Sequence, residues 1–450
     1  MKEKNTKCIK LDKSMNIIGS ENMRFFLLRM KVKGIKSIDK EIQLDFYKST
    51  VSKHFHASNS HVKAIYGPNG AGKTAIVDAV AIYKNLVIDF DYLAMSNTTG
   101  ALDNLINQKS RKLEVEMYFA VLQTENRLEA VYSHKLVLEK INERYVITEE
   151  SLRKLVGNQL NKEDAYKIIF EIKHGEMVQL SDSPLEKFQS FTINLLDQQS
   201  FISILSKFCL QDNALPIGDK LKNAVIYSAA FAQSITVFMQ NSDKNFIYLG
   251  RDKACNTLLR KNFILQRHTE QVAKKDFEKF EGFVHNLCSF IKVFMDELAT
   301  IEIKKDENGD VYDCELIFVY ADGRRVCKKH ESAGIQKIIE SYSALCSVES
   351  GNIVFIDAFD ANIHDALLVK LVEYVMHYAD GQLIFTTHNL APMDVLQKAK
   401  HSIDFLSPDS QITSWTANGN YTAASLYRKG LIEYSPFNLE AFSFIGVFGR

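Results

Sequence analysis

Gly67-Pro68-Asn69-Gly70-Ala71-Gly72-Lys73-Thr74 satisfies the pattern G-x-x-x-x-G-K-[ST] at every required position. Val62-Lys63-Ala64-Ile65-Tyr66 ahead of it reads as a short strand, and Ile76, Val77, Val80, Ala81 and Tyr83 recur at helical spacing through residues 74–86. Glycines let the backbone curl so that its N–H groups face a pyrophosphate, and the helix N-terminus adds the positive end of a dipole. Gly67, Asn69, Gly70, Ala71, Gly72 and Ala75 would form this cradle. Lys73 would reach the β- and γ-phosphates, and the Thr74 hydroxyl would bind magnesium. A Gly-rich turn before an ordinary helix would account for the glycines but not for Lys-Thr at this spacing.

Residues 351–388 supply a second half. Gly351-Asn352-Ile353-Val354-Phe355-Ile356-Asp357 is an apolar run ending in Asp, the form of a buried central strand that delivers a carboxylate to its C-terminal edge. There Asp357 would hold magnesium opposite Thr74, usually through water. Residues 364–378 have a helical pattern, and Gly381-Gln382-Leu383-Ile384-Phe385-Thr386-Thr387-His388 is another buried run, ending in His. A right-handed strand-helix-strand unit brings Asp357 and His388 to the sheet edge that carries the phosphate loop. Upstream, Glu331-Ser332-Ala333-Gly334-Ile335-Gln336-Lys337 precedes a helix expected over 338–345. Ser and Gly there make an anion site from N–H groups, a hydroxyl and a dipole, although the segment alone reads as a plain helix cap.

A chain of 450 residues predicts two or three domains, and 46% hydrophobic with 24% charged residues is the composition of a soluble globular protein. Lys+Arg 55 balances Asp+Glu 55, so no global field points to nucleic acid or membrane and any basic surface is local. The seven cysteines are scattered, odd in number and free of any C-x-x-C pair, as expected of reduced thiols in a cytosolic protein. No stretch reaches the roughly 18 apolar residues of a membrane span, and a cytoplasmic location is expected.

Residues 1–22 read as a flexible leader. In 23–150, segments 24–32 and 41–46 read as strands that join the strand before the phosphate loop in a sheet edge for a nucleotide base. Residues 112–148 alternate at period two, as an antiparallel meander with one face to solvent. Residues 151–300 read as a helical insertion for capping, dimerisation or partner docking. Ser183-Pro184-Leu185-Glu186 is a capping box opening a helix with Phe188, Phe191, Leu195, Ile202 and Leu205, residues 221–239 form another, and Phe277, Phe280, Val284, Leu287, Ile291, Phe294 and Leu298 line a third. That stripe reads as core and lacks sustained coiled-coil heptads. Residues 301–400 return to the head with a hairpin at Asn308-Gly309-Asp310 and the basic stretch Arg324-Arg325-Val326-Cys327-Lys328-Lys329-His330, a solvated edge strand with phosphate contact as the second reading. Residues 401–450 form a tail packing on the head, where Trp415 and Tyr427 read as core, with a partner anchor as the alternative.

The order of phosphate loop, S-x-G-x-Q before a helix, apolar strand plus Asp, and strand plus His resembles an ABC-type ATPase. The N-terminal strands, the Glu-Ser-x-Gly signature and the ending Thr387-His388-Asn389-Leu390 resemble more narrowly the OLD (overcoming lysogenization defect) group, which includes ATPase subunits of bacterial anti-phage and abortive-infection systems. The resemblance covers residues 24–120 and about 300–400. It implies an α/β fold, an ABC-type P-loop ATPase head with a mixed N-terminal sheet, a parallel core sheet and a mainly helical insertion. It also implies ATP and Mg2+ as cofactors and self-assembly, in which two protomers close head to tail around two ATP, as a dimer or within a higher oligomer. Ser332, Gly334 and Gln336 of one chain would complete the site held by Lys73 of the other, with residues 361–364 at the interface and His388 sensing the γ-phosphate. Lys36 and Ser37 are the candidates for adenine contact, and Gln108 for the glutamine that links magnesium to the inserted domain.

One position departs from this class. The residue after the strand Asp is normally Glu, which orients or activates the attacking water; here it is Ala358. A methyl group does neither, so ATP binding is expected to survive and hydrolysis to be depressed. Asp360 is offset from that position by two residues. Ala358 is either an engineered exchange that traps the ATP-bound dimer or the mark of a natural nucleotide switch, and the otherwise intact motifs favour the first. The resemblance implies a regulatory ATPase of an anti-phage system that controls a separate effector, a Toprim-type nuclease, since no acidic cluster follows His388. A DNA-repair or chromosome-maintenance ATPase that binds duplex DNA is the alternative, against which stand the neutral charge and the missing heptads.

Overall fold

The computed structural model describes residues 23–57, 60–123, 126–181, 197–209, 217–240, 246–248, 263, 265, 267–417, 421–432 and 435. In chain order its strands are β1 (Arg24–Lys33), β2 (Ile42–Asp45), β3 (Val62–Tyr66), β4 (Lys112–Leu122), β5 (Leu128–Ile141), β6 (Arg144–Leu155), β7 (Tyr166–Lys173), β8 (Glu176–Leu180) and β9 (Ile235–Gln240). They continue as β10 (Phe246–Tyr248), β11 (Thr269–Ala273), β12 (Leu298–Asn308), β13 (Val311–Tyr320), β14 (Arg325–Cys327), β15 (Ile353–Ile356), β16 (Gln382–Thr386), β17 (Ile403–Leu406) and β18 (Ile412–Ser414). The helices are α1 (Lys73–Ile88), α2 (Ser96–Leu105), α3 (Phe201–Cys209), α4 (Asp219–Ser234), α5 (Phe277–Lys292), α6 (Ala333–Glu349), α7 (Asp365–Tyr378), α8 (Met393–Leu396) and α9 (Ala423–Arg428).

The core sheet runs β10-β9-β15-β16-β3-β17-β18, with parallel pairing from β9 to β17 and an antiparallel strand at each edge. Its central strands are buried on both faces, which is why they read as unbroken apolar runs. Alternation sorts their side chains. Ile65, Ile353, Phe355 and Ile384 point into a core shared with α1, α3, α4 and the antiparallel sheet. Ala64, Tyr66, Val354, Ile356, Leu383 and Phe385 point to the other face, under α6, α7, α8 and α9. The antiparallel sheet, β2-β1-β4-β5-β6-β7-β8, lies across α1. A third sheet, β11-β13-β12 with β14 on β13, carries α5 and touches α6 through Ile335 and Ile339.

Two side chains tie these layers together. Gln382 on β16 accepts from the Leu27 N–H at 2.7 Å and donates to the Leu27 carbonyl at 3.1 Å, pairing with β1 as another strand would at the irregular register between Leu27 and Arg29. Glu150 on β6 accepts from Ser200 Oγ at 2.8 Å and Phe201 N–H at 2.6 Å, a carboxylate placed on the N-terminus of α3.

Several expectations need correction. β1 pairs with β2 on one side and β4 on the other, and neither β1 nor β2 pairs with β3, so they do not extend the sheet edge at the phosphate loop. Isolated strands alternate alike whichever sheet they join. The meander continues beyond residue 148 to Leu180, and β4 is buried along most of its length because α1 covers one face and Tyr47, Val51 and Phe55 pack on the other. The helix expected over 221–239 ends at Ser234. The β-branched run Ile235-Thr236-Val237 becomes β9, parallel to β15 with Ile235 opposite Ile353. Helix α5 stops at Lys292, and Leu298 already belongs to β12. The hairpin at 308–310 and Tyr427, which stacks on Phe405 in the core, match their sequence readings. The capping box at 183–186 lies outside the described residues, as does the leader 1–22, but the helix expected to run on to Leu205 is interrupted by a turn at residues 197–199, and Ile202 and Leu205 belong to the separate helix α3. Among the described residues no helix is long and apolar enough to cross a membrane.

Candidate active site

The loop between β3 and α1 follows from two glycines. Gly72 has φ 110°, and a Cβ there would lie 2.9 Å from Ile38 Cγ1 and 3.0 Å from Ser37 Oγ. At Gly67 a Cβ would lie 2.4 Å from the Leu406 carbonyl oxygen, so β17 supports the loop from behind. The loop opens on a pocket of about 410 Å³ lined by Lys36, Ser37, Asn69, Gly70, Gly72, Lys73, Thr74, Ala75, Asp357, Ala358, Thr386, Thr387 and His388. A larger depression of about 840 Å³ lies between the β5–β6 turn and residues 93–99, but it holds no phosphate-binding loop, and chemistry decides between the two.

Asp357 leaves the C-terminal end of β15 opposite the first turn of α1. Thr74 Oγ1 donates to its carboxylate, 3.0 Å from Oδ2 and 3.2 Å from Oδ1. Two hard oxygen donors thus converge from different elements, which suits a magnesium ion. Lys73 Nζ donates to the Gly67 carbonyl at 2.8 Å and the Pro68 carbonyl at 3.1 Å, folded back on its own loop. Asp360 accepts from the His388 N–H at 3.3 Å, joining the turn after β15 to the end of β16.

The sequence-derived residues fall into two groups. Asn69, Gly70, Gly72, Lys73, Thr74, Ala75, Asp357, Ala358 and His388 line one pocket, with Gly67 and Ala71 buried behind it. Ser332, Gly334 and Gln336 are not among its lining residues. Ser332 Oγ caps α6 by accepting from Ile335 N–H at 3.3 Å, Gln336 Nε2 donates to the Glu331 carbonyl at 2.9 Å, and Gly334 faces the Asn362 carbonyl. Ser332 and Ala333 are exposed. Lys36 and Ser37 do line the pocket, at the Gly72 end, and the Lys36 ammonium pairs with Asp78 at 2.5 Å. Gln108 is exposed and does not line it. Two residues were missed by sequence reasoning. Thr386 bonds Asp357, and Lys337 is buried near Glu340, Asp360 and Asp357, with its ammonium weakened by burial. Neither matches a spacing rule; only the tertiary contacts reveal them.

Burial pulls Lys73 down to about 8 against the pull of Asp357 and Asp360, and burial with the Lys73 charge keeps His388 below its ordinary value. The charged form of the His388 imidazole is thereby disfavoured. A bound triphosphate would hold the Lys73 proton, so nucleotide binding takes up a proton above pH 8. ATP affinity is expected to fall by about tenfold from pH 7 to pH 9, the change in the protonated fraction of Lys73. Calorimetric titration at both pH values checks this, and equal affinities would refute it.

Residues 29–343 match the AAA domain family. The chain belongs to that family. As an AAA-domain P-loop ATPase it carries the phosphate loop inside the matched stretch, while Asp357, Ala358 and His388 lie beyond it and are joined to the site by the geometry above. Among solved structures the AAA-domain chain is similar to an Smc head bound to the C-winged helix domain of ScpA, at 14% identity over 87% of this chain and 98% of that one, with a TM-score of 0.43. It is also similar to the SMC head domain from Thermotoga maritima (14% identity, 87% and 99% covered, TM-score 0.33). A third is the recombination mediator protein RecF-ATPrS of the RecFOR pathway (10% identity, 88% and 99% covered, TM-score 0.39). No curated protein matches the sequence.

Proposed function

We propose that this AAA-domain ATPase is an ATP-gated switch, the regulatory or sensor ATPase of a bacterial anti-phage defence system. Two copies close head to tail around two ATP and control a separate effector, a Toprim-type nuclease. The observation that carries the switch is a phosphate loop, Thr74 and Asp357 gathered in one pocket with Ala358 where a water-orienting carboxylate would stand. Thr74 and Asp357 would hold Mg2+, which when bound neutralises phosphate charge. Lys73 would leave the Gly67 and Pro68 carbonyls for the β- and γ-phosphates, and His388 would read the γ-phosphate. Ser332, Gly334 and Gln336 of the partner would close the site, since Ser332 is exposed while its hydroxyl already caps α6. The nucleotide is then the glue, because the partner's contacts to the γ-phosphate would form only in the closed state and their loss would remove the differential binding that favours closure. The effector would dock on exposed faces within residues 151–300 and 401–450, not on β9 or Tyr427, which are built into the core.

The DNA-binding alternative has little support from the basic stretch. Arg324 pairs with Asp322, Arg325 with Glu302, and Lys328 is buried against Glu270, so these cations are already matched.

Light scattering provides the test. The chain should dimerise with ATP and Mg2+ and stay monomeric with ADP, and Ser332→Arg should block dimerisation without blocking ATP binding. A monomer under saturating ATP would sink the closing-dimer reading. ATP-dependent co-purification with a nuclease would support the defence role, and salt-sensitive duplex binding without a protein partner would favour the alternative.

A further inference from the structure

We infer that Thr386 is a positioning residue of the nucleotide site, one that fixes which oxygen of Asp357 faces the cation and holds the peptide of residue 358. This rests on the nucleotide reading above. Thr386 is the last residue of β16, 2% exposed, at the edge of the pocket. Its Oγ1 donates to Asp357 Oδ1 at 2.6 Å and accepts from the Ala358 N–H at 2.8 Å. A hydroxyl has one proton; here it goes to the carboxylate, and a lone pair takes the amide. The Thr386 carbonyl also accepts from the Phe359 N–H at 3.0 Å. Three successive groups of the turn after β15 are thus tied to one residue of the neighbouring strand. A side chain without a hydroxyl would keep only the last of these bonds.

The division of the carboxylate follows. Oδ1 takes the short bond from Thr386, while the closer approach of Thr74 is to Oδ2. With Oδ1 held, the carboxylate cannot swing, and Oδ2 stays beside the Thr74 hydroxyl, where a hard cation or its water would meet both. The amide bond matters too. Ala358 has φ 49°, the left-handed region that a non-glycine residue holds only when its surroundings over-determine it. Without the hydroxyl, Oδ1 of Asp357 loses its short bond, leaving the longer contacts from Thr74, and the Ala358 N–H loses its acceptor.

Thr386→Val keeps the shape and deletes the hydroxyl, Thr386→Ala does so with less crowding should Val not fold, and Thr386→Ser restores the hydroxyl. Each full-length variant is titrated with a fluorescent ATP analogue in Mg2+ and in EDTA. Val and Ala are expected to lose roughly tenfold in affinity with Mg2+ and nothing in EDTA, the usual scale for an outer-shell partner of a metal ligand. Ser should match the parent in both arms. An unchanged affinity of Thr386→Val in Mg2+, or equal losses in both arms, overturns the positioning role while the nucleotide reading stands. A parent chain that binds in neither arm overturns that reading and this one with it.

Discussion

Ala358→Glu should raise ATP turnover by roughly 10²–10⁴-fold, the span that a positioned acid or base group contributes. The position is placed for it. Ala358 lines the pocket with Thr74, Asp357 and His388, directly after the Asp that faces the first turn of α1. The substitution should be nearly neutral for the backbone. Left-handed conformation at φ 49° costs any non-glycine L-residue about 1–2 kcal/mol, so Ala and Glu bear the same strain and the N–H bond to Thr386 serves both. A gain in turnover at unchanged stability would then be chemical. Ala358→Gln is the control, since an amide fills the space without accepting a proton. Turnover that stays flat in Ala358→Glu would end the view that this chain lacks only a water-activating carboxylate. A similar gain in Ala358→Gln would instead make the effect one of packing. Asp360, held by the His388 N–H, is the remaining carboxylate of this turn, so Asp360→Asn in the parent tests whether it supports residual hydrolysis.

The parts of the site legible in sequence are those whose chemistry is local. The phosphate loop announces itself because its glycines, lysine and threonine must stand at fixed offsets to surround a phosphate. Asp357 and His388 were readable because a strand covered on both faces must be apolar throughout, which makes a polar residue at its end conspicuous. Strand β9 was not, because a short apolar run such as Ile235–Met239 is equally a helix turn or a strand until its pairing with β15 decides. The same holds for β1, whose alternation fits any sheet, and for Gln382, a polar residue inside an apolar run whose purpose appears only opposite Leu27. Thr386 looked like one more β-branched strand residue, since its partner Asp357 is 29 residues away. Ser332 is the ambiguous case, because the serine that caps α6 is also the one that, in the proposed dimer, would meet a neighbouring chain's phosphate.

Lys63→Met is expected to lower the opening free energy of β3 and β17 by about 3–5 kcal/mol, the usual penalty for breaking a buried ion pair from one side. Lys63 and Asp404 are 2% and 0% exposed, with Nζ 2.5 Å from Oδ2. The other carboxylate oxygen accepts from Ser414 Oγ at 2.7 Å, and the ammonium lies 5.4 Å from the Phe46 ring centroid. Neither charge has water to fall back on. Methionine fills the volume of the lysine stem but strips the buried Asp404 carboxylate of its ammonium partner, which is why the single exchange is costly. The double variant Lys63→Met with Asp404→Leu removes both charges and should recover most of the loss, since apolar replacement of a buried pair is often neutral or better. Hydrogen exchange of the β3 and β17 amides reads this locally and does not require the whole chain to unfold in one step. A single variant within about 1 kcal/mol of the parent would mean the pair behaves like an exposed one and contributes little. The functional consequence follows from position. β3 runs directly into Gly67, and β17 places the Leu406 carbonyl against that glycine, so loosening the two strands loosens the phosphate loop. Lys63→Met should therefore weaken ATP binding as well, and the double variant should restore binding and strand protection together.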